Sequence, residues 1–276
     1  MRIDAHQHFW DPARGDYTWM PKDNATLYRP YGPKDFEPLA APLGITHSVV
    51  VQAAATTAET DYLLSLASAT DGIAGVVGWI DFEDPTHMAD LERFRAHPKF
   101  RGVRPMIQDI ANPDWMLRDD LAWAFEAITA HGLTFDALGF SRHLENFAVI
   151  AQRYPGLSIV IDHAMKPQIH AREWRTWAEG IRRLARLPLV HCKLSGLITE
   201  AGADWSVADL RPYVDHLLTS FGPRRLMWGS DWPVCQMAGS YSAWFEAAEQ
   251  LTQDLTESER DQLFGQTANR FYRLGL

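Results

Sequence analysis

Two histidines one residue apart, in "MRIDAHQHFW", open the chain. The stretch reads as the first strand, in which successive side chains alternate faces. On that reading His6 and His8 point the same way, with Asp4 behind them, and Ile3, Ala5 and Gln7 face the other way. A helix would spread the two imidazoles to roughly opposite sides. A strand therefore makes a pair of nitrogen ligands, and the alternative is two unrelated surface histidines.

Eight short apolar runs could position such a pair: "RIDAHQHF", "THSVVVQA", "AGVVGWID", "FRGVRPMI", "LTFDALGF", "LSIVIDHA", "LVHCKLSG" and "RLMWGSD". Several are nearly continuous in apolar residues, as parallel strands buried on both faces are. Amphipathic segments alternate with them, among them "TTAETDYLLSLASA", which opens with a capping box from Thr56 to Glu59, and "TESERDQLFGQTANRFYRL", with one from Thr256 to Glu259. Alternation of this kind implies a parallel sheet with right-handed crossovers. The competing open dinucleotide-binding sheet wants a Gly-rich turn after its first strand, and "HQHFWDPARG" stands there instead. The expectation is a single α/β domain over residues 1–276, a (β/α)8 TIM barrel.

A barrel gathers its chemistry at the carboxyl ends of the strands. Polar residues accumulate there: His6 and His8, Gln52, Arg104, Asp136, Asp162 and His163, Lys193 and Ser195, and Asp231. Each is costly to bury unpaired, so a shared site explains them economically. The sharpest subset is His6, His8, His163 and Asp231, a nitrogen-rich set able to surround one divalent cation, zinc first. A proton-relay cluster without metal is the alternative.

The composition narrows the partners. A net charge of −9 argues against a nucleic-acid binder. Two cysteines, outside any Cys-x-x-Cys pair, point to a reducing cytoplasm rather than a disulfide framework. No basic segment precedes an apolar core at the N-terminus, and no run approaches a membrane span.

With "DAHQHFW", "IDHAMKP", "CKLSGL" and "GSDWPV" located, the chain resembles the sugar-lactonase branch of the amidohydrolase superfamily, from the first strand to the last helix. The resemblance implies a distorted (β/α)8 barrel. It implies hydrolysis of a small sugar (aldono) lactone, with a lean toward L-fucono- or L-rhamnono-type rings. It also makes Asp231 the general base on the attacking water. Strand four carries Arg104 where some relatives have a bridging lysine, and "TFDAL" stands where binuclear relatives have a histidine. One metal, or none, is therefore expected.

The chemistry expected follows. Asp231, aided by His163, deprotonates water, and His6 and His8 polarise the carbonyl through a metal or as direct donors. Arg104 holds the substrate oxygen or closes a polar layer as a salt bridge. Lys166 protonates the leaving group or braces its loop, and Lys193 orients Asp231 or touches the sugar. Trp10, Trp19 and Trp232 offer aromatic faces to a sugar ring. The long segment "DPARGDYTWMPKDNATLYRPYGP" lies over the mouth. Trp123, Trp174 and Trp177 belong to the core, His47, His87, His97, His131, His143, His170 and His216 to the surface or helix ends, and His191 to the interior. Two other functions stay open: hydrolysis or decarboxylation of an aromatic-derived acid, and sugar-acid binding without turnover. Oligomeric state is not legible.

Overall fold

The computed structural model describes residues 1–276. Each of the eight expected runs contains one strand: β1 (Arg2–Gln7), β2 (Ile45–Val51), β3 (Ile73–Gly78), β4 (Phe100–Val103), β5 (Thr134–Ala137), β6 (Ser158–Ile161), β7 (Val190–Leu194) and β8 (Leu226–Trp228). They pair in sequence order, and every pair is parallel. The ring closes just beyond β8, where the His8 N–H donates to Trp232 O at 2.7 Å and the Asp231 N–H to His6 O at 2.8 Å. The segment that closes the barrel thus carries Asp231.

Helices alternate with the strands: α1 (Pro33–Ala40), α2 (Thr57–Ala69), α3 (Met88–Arg95), α4 (Ala122–Ala130), α5 (Leu144–Arg153), α6 (Arg175–Ala185), α7 (Leu197–Ala201), α8 (Val207–Phe221), α9 (Tyr241–Leu251), α10 (Glu257–Asp261) and α11 (Thr267–Phe271). None is long and apolar enough to cross a membrane. The short α1 and α7 were not expected. The capping box at α10 forms in both directions, between the Glu259 N–H and Thr256 Oγ1 and between the Thr256 N–H and Glu259 Oε2. At α2 only half of it forms. Thr56 caps the Glu59 N–H at 3.1 Å, but the Glu59 carboxylate turns to the N–H groups of Ala53 and Ala54. Those amides lie just past the end of β2, and the buried carboxylate satisfies them.

One apolar cluster of 71 residues fills the space between sheet and helices. A second, of 12, lies inside the barrel, where Ile3, Ala5, Val49, Val51 and Met227 meet Phe271, Tyr272 and Leu274 of the C-terminal segment. That segment plugs the end opposite the site. Burial on this scale, at about 1.5–3 kcal/mol per large apolar side chain, dominates the stability.

Strict alternation fails in β1. Asp4 pairs with Ser48 and Gln7 with Val50, so three steps on β1 match two on β2. This is a bulge. Ala5 belongs to the interior cluster, His6 after it reaches the polar mouth, and Asp4 instead accepts from the Ser230 N–H and the Tyr241 hydroxyl. Asp4 is therefore not behind the two histidines but outside them, bracing the loop that follows β8.

Candidate active site

Three imidazoles and one carboxylate converge at the mouth. Asp231 Oδ1 lies 3.3 Å from His8 Nε2, 3.7 Å from His163 Nε2 and 3.8 Å from His6 Nε2. His6 Nε2 and His8 Nε2 are 3.2 Å apart. The other ring nitrogens are tied back: His8 Nδ1 to Val51 O at 2.7 Å, His163 Nδ1 to Ser195 Oγ at 2.9 Å, and His6 Nδ1 to Lys193 Nζ at 3.0 Å. A backbone carbonyl only accepts, so His8 carries its proton on Nδ1 and turns a lone pair toward Asp231 when neutral. That corrects the expectation of His8 as a donor to a carbonyl.

Unusual backbone aims two of these groups. His163, Ala164, Met165 and Lys166 all take left-handed φ values, of 52°, 49°, 61° and 49°, and Asp231 does so at 58°. For residues with a Cβ this costs roughly 1–2 kcal/mol each. The Trp177 indole N–H, donated to Ala164 O at 2.7 Å, and the Lys166 N–H, donated to His163 O at 2.8 Å, help hold the turn. Strain concentrated on mouth residues marks a functional constraint. Two glycines make room for the rings. A Cβ on Gly196 would fall 2.7 Å from His163 Nδ1, and one on Gly229 2.7 Å from His6 Cβ.

Beneath the histidines lies a buried ionic layer. Lys193 Nζ meets Asp136 Oδ2 at 2.5 Å and Asp162 Oδ1 at 2.9 Å, and Asp136 also accepts from the Tyr272 hydroxyl at 2.7 Å. Arg104 bonds Asp162 Oδ2 at 3.2 Å and the Gln52 carbonyl, with Nη1 3.4 Å from His6 Nε2. Two cations and two anions balance here, which leaves the Asp231 charge for the mouth. Burial disfavours an ionised Asp231, but His163, His8 and His6 outweigh it and hold the carboxyl well below the usual range. Burial also lowers the histidines, His163 to about 4.

The cavity over these groups measures about 140 Å³ and is walled by Trp10, Trp19, Arg104, Gln108 and Lys166. Trp10 is fully buried beside His8, its indole bonded to the carbonyls of Leu27 and Arg29, whereas Trp19 stands 40% exposed with its N–H on Ala53 O. Lys166 reaches Gln108 Oε1 at 2.6 Å. Arg104 forms the expected salt bridge, to Asp162, and also lines the cavity.

Several expectations need correction. Trp232 is not at the mouth, because it packs edge-on against Phe9 and Tyr31 in an aromatic cluster. Lys193 touches neither Asp231 nor the cavity and holds His6 instead. Trp174 is not in the core but 39% exposed, against Trp177 and Tyr213, whereas His143 stands at a helix end as expected, buried at the N-cap of α5 with its Nδ1 accepting from the Phe140 N–H. Gln108 was missed, since a polar residue in a short turn after β4 carries no periodic signal. Tyr272 was missed because it reaches the ionic layer from the far end of the chain.

The site suits a metal. Ligand atoms of His6, His163 and Asp231 lie within 4.8 Å of one another. His8 stands beside that set, and its lone pair faces Asp231 across 3.3 Å with no proton between them when the ring is neutral. Acceptors this close call for a cation or added protons. Three nitrogen donors and one carboxylate suit zinc, with tied-back ring nitrogens of the kind that orient its ligands.

Residues 3–274 match the amidohydrolase family. The chain is 46% identical over 277 residues to an L-fucono-1,5-lactonase of Burkholderia ambifaria, covering 99% of this chain and 96% of the relative. It is 38% identical over 288 residues to an L-fucono-1,5-lactonase of Burkholderia multivorans, at the same coverage. Among solved structures, an amidohydrolase from Burkholderia multivorans with bound zinc superposes with a TM-score of 0.92 at 38% identity, covering 99% of each chain.

Proposed function

The chain belongs to the amidohydrolase family, and from that premise we propose that it is a sugar lactonase, opening an aldonolactone of the L-fucono-1,5-lactone kind to its acid. One observation carries the reading: the His8 and His163 imidazoles and the Asp231 carboxylate, with His6 buried directly behind them, border a cavity of about 140 Å³ that also presents Arg104 and Lys166.

In this reading Asp231, ionised across the neutral range, takes a proton from the attacking water as its oxygen bonds the carbonyl carbon. Neutral His163 and His8 orient that water through Nε2. Arg104 faces the oxygen that gains charge, where its fixed charge is worth most away from bulk water. The ring C–O bond then breaks, and the departing oxygen takes a proton from Lys166, which Gln108 holds at the cavity wall. A zinc ion held by His6, His163 and Asp231 would supply Lewis acidity toward water and carbonyl. The weak basicity of a carboxylate held this low makes such help useful.

The test is acid release from 1,4- and 1,5-sugar lactones, with and without a strong chelator. Hydrolysis of L-fucono-1,5-lactone above the uncatalysed rate supports the reading, and loss with chelator with return on added zinc adds the metal. No hydrolysis of any sugar lactone by folded, zinc-supplied protein overturns it.

A further inference from the structure

Lys193 is wholly buried under the site, and its ammonium hydrogen-bonds Asp136 Oδ2 at 2.5 Å and His6 Nδ1 at 3.0 Å and forms an ion pair with Asp162 Oδ1 at 2.9 Å. An ammonium donates and never accepts, so its bond to His6 requires a lone pair at Nδ1. A neutral ring with that lone pair keeps its proton on Nε2. His6 Nε2 lies 3.2 Å from His8 Nε2, which is itself a lone pair because His8 donates from Nδ1 to Val51 O. Every link from Lys193 through His6 and His8 to Val51 thus runs donor to acceptor. Arg104 Nη1, also a donor only, stands 3.4 Å from His6 Nε2 and asks for a lone pair there, but the Lys193 contact is shorter at 3.0 Å and decides between the two.

We propose that Lys193 is a positioning residue that sets the tautomer of His6, holding it as Nε2–H without metal, and that Asp162 receives the proton of the other tautomer. Asp162 Oδ1 lies 3.4 Å from His6 Nδ1 and makes no well-aligned hydrogen bond of its own. For His6 to ligate through Nε2, one proton leaves Nε2 and one arrives at Nδ1, to be donated to Asp162 Oδ1. The ring neither gains nor loses a proton. Lys193 keeps its two carboxylates and gives up only the bond to His6. Lys193 therefore opposes metal loading and favours an N–H directed at the mouth, whereas Asp162 permits the lone pair a metal needs. The inference deepens the hydrolase reading and rests on this mouth being the hydrolytic site.

The test uses intact protein labelled with ¹⁵N-histidine, freed of metal by chelator and without lactone, with His6→Gln identifying the His6 signals. The expected spectrum shows His6 protonated at Nε2 and bare at Nδ1, and zinc titration moves the proton to Nδ1. A proton on Nδ1 before zinc is added overturns the proposal. Zinc competition with a chromophoric chelator gives a second reading. Lys193→Met is expected to bind zinc at least ten-fold more tightly than the parent, and equal or weaker binding by the folded variant overturns it. Should that variant fail to fold, the spectrum of the parent protein decides alone. No lactone enters either measurement, so failure here leaves the hydrolase reading to its own assay.

Discussion

Gly196 lies directly against the His163 ring: a Cβ there would stand 2.7 Å from Nδ1 and 2.8 Å from Cγ. Its φ of +66° also falls where a side chain is strained. Gly196→Ala must therefore push the imidazole away from Ser195 and shift Nε2 relative to Asp231. A displacement near 1 Å at a catalytic group costs on the order of 10²-fold in rate. The expected outcome is a kcat reduced by about that factor, with a stability loss of about 1–3 kcal/mol from the strained φ and the close contact. Steady-state kinetics beside a denaturant titration check it, and an unchanged kcat would remove His163 from the mechanism.

Asp231→Asn preserves shape and removes both the proposed base and the charge that the three histidines surround. Turnover is expected to fall at least 10³-fold with the fold intact by circular dichroism. An active variant would show that the base lies elsewhere.

The barrel was legible in the sequence because β-branched runs such as "SVVVQA" and "LSIVID" repeat between capped helices, and eight of them admit few arrangements. The four mouth groups were legible because strand ends are the one place where such residues converge. Residues that act through geometry rather than type were not. Lys193 looks from its strand like a group for the substrate, but its reach ends at Asp136, Asp162 and His6 beneath the mouth. Trp232 follows Asp231, yet the left-handed turn at Asp231 sends the next side chain into the aromatic core. The bulge that puts Asp4 and His6 on different sides leaves no mark in residue type.

Trp19 and Trp232 should part company in experiment. Trp19 borders the cavity and is 40% exposed, so Trp19→Ala is expected to raise KM several-fold with little change in melting temperature. Trp232 is buried among Phe9, Tyr31 and Phe36, so Trp232→Ala is expected to cost about 3–5 kcal/mol. Its KM should hold wherever the protein is still folded. The reverse pattern would place the wrong tryptophan at the mouth.

Stability against pH has two opposing slopes, and each has a named source. Burial lowers His163 and His191 to about 4, so between pH 6.5 and 4 the unfolded chain binds protons that the folded chain refuses. Stability from this source is full above pH 6.5 and is lost as pH falls toward 4. Glu59 has the opposite sign. Burial raises it to about 8, against the pull of the Ala54 and Ala53 amides, so the folded chain holds a proton that the unfolded chain has released. Its contribution is full below about pH 4.5 and is lost as pH rises to 8. Melting temperature is therefore expected to peak between these limits. His191 lies against Phe271, away from the mouth, so His191→Leu should flatten the acid limb while leaving lactone hydrolysis unchanged. Glu59→Gln should flatten the alkaline limb. Thermal scans from pH 4.5 to 8.5 on both variants separate the sources, and an acid limb unchanged by His191→Leu would mean that histidines at the mouth carry all of it.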